Sequence, residues 1–82
     1  MKLPRNLGGE ELAHRLEKVG YRITRQTGSH LRLSRRDEPL HHITIPRHKP
    51  LRIGTLNNIL REIADRLKIG KEELLRKLFK DQ

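Results

Sequence analysis

Tyr21-Arg22-Ile23-Thr24-Arg25-Gln26, then Thr27-Gly28, then Ser29-His30-Leu31-Arg32-Leu33-Ser34: polar and apolar residues alternate with period two on both sides of a short connection. Period two marks strands with one buried and one wet face, and Thr27-Gly28 suits a hairpin turn between them. Tyr21, Ile23, Leu31 and Leu33 are expected on the core face, with Arg22, Thr24, Gln26, His30 and Arg32 on the solvated one. After a polar turn over Arg35 to Pro39, His41-His42-Ile43-Thr44-Ile45 repeats the alternation, with His42 and Thr44 outward. Pro46 is expected to end that third strand.

Helical spacing lies on either side of this block. Leu12, Leu16 and Val19 form one stripe in a helix expected over 9–19, with Glu10 and Glu11 in its first turn and Gly20 as its stop. Downstream, Leu56, Ile59, Leu60, Ile63 and Leu67 define a second helix, for which Thr55 is the expected N-cap. Gly70 is read as a break, and Leu74, Leu75, Leu78 and Phe79 as the docking face of a short C-terminal helix over 71–79. Pro46 to Ile53 is a loop. The order is α-β-β-β-α plus that last helix. A meander with one apolar side needs cover, so the expected fold is α+β: a three-stranded antiparallel sheet with helices packed on one face, as in the double-stranded-RNA-binding domain.

Composition narrows the function. Eighty-two residues with 33% hydrophobic side chains and two aromatics, Tyr21 and Phe79, point to one domain over 1–82 with a thin aliphatic core. The absence of cysteine excludes disulfides and thiolate metal sites. It also suits a cytoplasmic location, and no apolar run is long enough for a membrane span. The formal net charge is +9. Residues 21–52 hold eight basic side chains against Asp37 and Glu38, a net +6. Such a patch suits a polyanion such as nucleic acid, and twelve arginines against seven lysines favour forked contacts with phosphate.

With these segments placed, the chain resembles the HicA toxins, small mRNA interferases of toxin–antitoxin modules. The resemblance rests on Leu3-Pro4 with Gly9-Glu10-Glu11-Leu12, on Val19-Gly20-Tyr21, and on Arg25-Gln26-Thr27-Gly28-Ser29-His30. It continues through Thr44-Ile45-Pro46-Arg47-His48 and Leu51-Arg52-Ile53-Gly54-Thr55-Leu56. The Arg35-Arg36-Asp37-Glu38 run departs from the family's usual His-Pro turn. The resemblance implies a double-stranded-RNA-binding-like fold and mRNA cleavage without a metal cofactor. It further implies a hetero-oligomer with a HicB-type antitoxin, and it assigns the family's catalytic histidine to His30.

The residues themselves allow that chemistry. An imidazole, with an ordinary pKa of about 6.5, can take and give a proton near neutrality. Cationic side chains can stabilise charge on a phosphate during attack by the RNA 2′-hydroxyl. Arg25, Gly28, Ser29, Arg32, Arg47, His48 and Lys49 are the expected substrate-binding residues, with His48 also a candidate second proton carrier. Gly28 permits a tight turn and close approach of a phosphate, and Ser29 can orient the imidazole. His41 and His42 are expected on opposite faces, which argues against their sharing a metal. Two other readings stay open: a non-catalytic RNA-binding module, and a DNA-binding regulator using the Gly54–Leu67 helix.

Overall fold

A computed structural model describes residues 3–36 and 40–80. Helix α1 (Gly9–Leu16) tightens into a 3₁₀ turn (Glu17–Val19) before strands β1 (Arg22–Gln26), β2 (His30–Arg35) and β3 (His41–Pro46). Helices α2 (Ile53–Leu67) and α3 (Lys71–Phe79) follow. The strands form one antiparallel sheet in the order β1-β2-β3, so the expected α+β architecture is the observed one. The expected turn residues Asp37, Glu38 and Pro39 lie outside the described residues, and β2 runs on through Arg35 to pair with His41.

Burial explains the layering. Register pairs Ile23 with Leu33, Leu33 with Ile43, and Leu31 with Ile45, so the apolar members of all three strands share a face. Leu12, Ala13 and Leu16 of α1 cover that face, joined by Leu56, Leu60 and Ile63 of α2 in the same core. Gly20 stops the first helix as its composition predicts, at φ +94°. Its N–H is donated to the Glu17 carbonyl and that of Tyr21 to Leu16. Helix α3 docks through Leu74, Leu75, Leu78 and Phe79, all buried. Arg15 donates to the Leu78 carbonyl at 3.2 Å and stacks 5.4 Å from the Phe79 ring centroid. Cations at that end of α3 also complement the helix dipole.

Tyr21, fully buried just ahead of β1, turns its hydroxyl to His41 Nδ1 at 2.6 Å. His41 Nε2 lies 3.0 Å from a Glu62 carboxylate oxygen, which can only accept, so Nε2–H is the donor. This Tyr21–His41–Glu62 chain ties the sheet to α2.

Three local expectations are corrected. The register slips between Ile23 and Arg25: Arg25 lies opposite Arg32 and Gln26 opposite Leu31. A β-bulge at Thr24 therefore puts Arg25 on the open face, where simple alternation puts Gln26. Thr55 is not the N-cap of α2. The Leu51 N–H is pinned to the Leu7 carbonyl at 2.8 Å, and the helix starts at once behind it, with extended Arg52 as its cap. Nor does Gly70 end α2; Lys68 does, in the left-handed region at φ +59°, as the chain turns to bring Ile69 against the core. Gly70 is instead the extended N-cap of α3. The expected end of β3 is observed: Pro46 is its last residue and lies opposite His30, a position open to proline because β3 is an edge strand.

Candidate active site

The open face of the sheet presents His30, Arg32 and Ser34 from β2, with Arg25 beside Arg32 on β1 and Thr44 and His42 on β3. His30 stands at its hairpin end. The turn is built around the Thr27 hydroxyl, which accepts from the backbone N–H of His30 at 3.0 Å and of Ser29 at 3.4 Å. The Thr27 N–H is donated to the His30 carbonyl at 2.9 Å. A side-chain oxygen thus takes over backbone partners that a tight turn would leave unmet. Glycine is not needed for this geometry, since Gly28 does not adopt positive φ. A Cβ on Gly28 would meet nothing within 4 Å; what glycine supplies is open space beside the histidine.

The His30 ring is exposed. Its Nδ1 lies 2.9 Å from Ser29 Oγ, and among the described residues Nε2 has no hydrogen-bond partner. One nitrogen is held and the other is available, the arrangement required of a proton-transfer group.

Arg47 fastens this end of the sheet. Its backbone N–H is donated to the Ser29 carbonyl at 2.9 Å, and Nη1 to the Thr27 carbonyl at 2.9 Å. Nε and Nη2 both reach one Glu10 carboxylate oxygen, at 3.1 and 2.5 Å. The loop after β3 is anchored from the other side, because the Gly9 N–H is donated to the His48 carbonyl at 2.9 Å. Gly9 lies so close to the Pro46 carbonyl oxygen that any Cβ there would collide with it. The first turn of α1, the loop and the hairpin therefore form one assembly.

Of the residues expected to bind substrate, Gly28, Ser29 and Arg47 are brought together around His30. Arg25 and Arg32 form the next cationic rung along the sheet. Lys49 packs its stem against Gly8, with its side chain exposed. His48 is exposed in the same loop. His41 turns to the helix-covered side and His42 to the open face, where its Nδ1 meets Ser34 Oγ. The outer face of α2, the alternative recognition helix, is partly occupied: Glu62 binds His41, and Asn57 accepts from Lys71 at 2.6 Å.

Sequence reasoning missed two participants. Glu10 reads as an ordinary first-turn acid, and its partnership with Arg47, 37 residues away, carries no local signal. Thr27 reads as a generic turn residue, although a hydroxyl just before Gly-Ser is a recognisable turn-capping pattern.

A family model described as "HicA toxin of bacterial toxin-antitoxin" matches residues 9–64, from the first residue of α1 to within three residues of the end of α2. No curated protein and no solved structure gives a match.

Proposed function

The chain belongs to the HicA toxin family of toxin–antitoxin modules, and from that premise we propose that it is an endoribonuclease that cleaves mRNA at the His30 hairpin. The observation that carries this reading is the exposed His30 ring, held at Nδ1 by Ser29 and open at Nε2, at the end of a cationic sheet face.

In the proposed reaction the RNA 2′-oxygen attacks the adjacent phosphorus, and the bond from phosphorus to the 5′-oxygen breaks. The 2′-hydroxyl proton must leave and a proton must reach the departing 5′-oxygen. His30 Nε2 serves one of these transfers, an effect typically worth about 100- to 10,000-fold. His48, exposed in the adjoining loop, is the candidate for the other. Charge on the phosphate oxygens is met by Lys49 and Arg32, with the backbone beside Gly28 open to close approach. Arg47 acts as a positioning residue: its guanidinium is committed to Glu10 and Thr27, so it keeps the turn and the loop in register rather than offering a free charge. No residue set is assigned to a metal, and the reaction as written needs none.

Membership of the family implies an antitoxin partner. The proposed partner is HicB-like and meets the basic face with acidic and apolar side chains, covering His30 and excluding RNA.

His30→Ala tests the catalytic reading. Cleavage of a purified transcript in excess EDTA should fall at least about 100-fold, and growth inhibition should disappear. Stability should change by less than about 0.5 kcal/mol, because the ring is solvated. Undiminished cleavage by the variant would remove His30 from the mechanism. Full growth inhibition without cleavage would favour the non-catalytic RNA-binding module.

A further inference from the structure

The open face carries a second built feature, centred four residues beyond His30 on β2. Thr24 Oγ1 lies 3.3 Å from the Arg32 carbonyl oxygen and 3.1 Å from Ser34 Oγ, and Ser34 Oγ lies 2.5 Å from His42 Nδ1. A carbonyl oxygen only accepts, so the single hydroxyl hydrogen of Thr24 goes to Arg32. Ser34 then donates to Thr24, and the Ser34 oxygen accepts from His42 Nδ1–H. The last acceptor sets the direction of the whole relay. It fixes the exposed His42 ring with a proton on Nδ1 and leaves Nε2 outward. Ser34 is only 6% exposed; it is the anchor of the relay and too enclosed to be a nucleophile.

The surroundings of this imidazole are cationic. Arg25, Arg32 and Arg36 line a cleft of about 350 Å³ with the relay and with Leu40, and among its described lining residues there is no carboxylate. Arg25 is there only because the bulge at Thr24 reverses its facing, and bulges concentrate where a side chain must be re-aimed near a site. Leu40 is 55% exposed, an apolar side chain left at the edge of a polar cleft.

We propose that this cleft is a nucleotide subsite for the RNA strand held at His30, with His42 as its specificity-determining residue. Arg25 and Arg36 take a phosphodiester, Leu40 packs against a base, and His42 Nε2 accepts a hydrogen bond from a base N–H. The inference rests on the reading of the chain as an RNA-cleaving enzyme. Ser34 is four residues along β2 from His30, a rise of about 14 Å at about 3.4 Å per residue. His42 is therefore too far away to share one phosphate with His30 and is within reach of the neighbouring nucleotides of the same strand. A merely solvated histidine needs no buried serine beneath it, whereas one that presents a single nitrogen to a base does.

The test uses the full chain in the His30→Ala background, where RNA stays intact, with a randomised set of single-stranded RNA oligonucleotides. NMR signals of Thr24, Ser34 and His42 should move on titration. His42→Ala should weaken binding to the preferred sequence about tenfold, the value of one hydrogen bond, and flatten the preference at one base position. His42→Gln, whose amide reaches the place of ring Nε2, should retain that preference. RNA binding with unmoved Ser34 and His42 signals, or with the same base preference in His42→Ala, overturns the subsite and leaves the parent reading standing. Failure to bind any RNA overturns both.

Discussion

The two ends of the sheet hold their histidines in opposite ways. At the hairpin end, backbone and turn do the holding: the Thr27 hydroxyl caps the turn and Arg47 clamps its carbonyls. His30 needs only one side-chain contact, from Ser29. At the other end, side chains hold side chains. His41 is spanned by Tyr21 and Glu62 on the covered side, and His42 is set by Ser34 and Thr24 on the open side. A ring positioned through its backbone keeps a nitrogen free for proton transfer. A ring bound at both nitrogens, as His41 is, can only support the fold.

The contrast breaks most visibly at Gly9. Gly9→Ala forces a Cβ into the Pro46 carbonyl oxygen and should destabilise the chain by about 3 kcal/mol, the upper range for overpacking. Urea unfolding measures it, and a loss below about 0.5 kcal/mol would show that the loop is not pinned there. Arg47→Ala should lower kcat/KM for RNA cleavage about 10- to 100-fold through misplacement of the hairpin. It should leave the salt dependence of RNA binding nearly unchanged, since Glu10 already takes that charge. A slope reduced as much as by loss of a phosphate contact would instead make Arg47 a direct ligand.

At the opposite end, Tyr21→Phe removes the hydroxyl that meets His41. Thermal unfolding should show a loss of about 1 kcal/mol, with the cleavage rate kept; a fall in rate at full stability would make the Tyr21–His41 pair part of the site. The smallest effect is expected from Lys49→Ala. Among the described residues its charge has no partner and stands exposed at the loop surface, so the slope of log K against log salt should shrink by about 0.7, one phosphate contact on a single strand. An unaltered slope would place the RNA path away from this loop.

Much of this molecule was legible in local pattern. Alternation gave the strands, their apolar partners and the exposure of His30, because a pleated chain has no other way to separate Leu31 and Leu33 from His30 and Arg32. The helices followed from the 3.6-residue spacing of their leucines and isoleucines, and Gly20 from the conformation that a helix stop requires. The boundaries of α2 were less legible, since they depend on where Leu51 and Ile69 meet the core and not on Thr55 or Gly70.

By itself, then, the sequence determined the element order, the buried faces, the positive charge and the histidine at the hairpin, all of which are set by neighbours within a few residues. Only the tertiary structure decided that Glu10 closes on Arg47, that Thr24 bulges and turns Arg25 outward, and that Ser34 and His42 meet. Each of these needs a distant partner or a change of register. Such contacts arise when strands and helices pack, and periodicity carries no trace of which distant polar group will answer another.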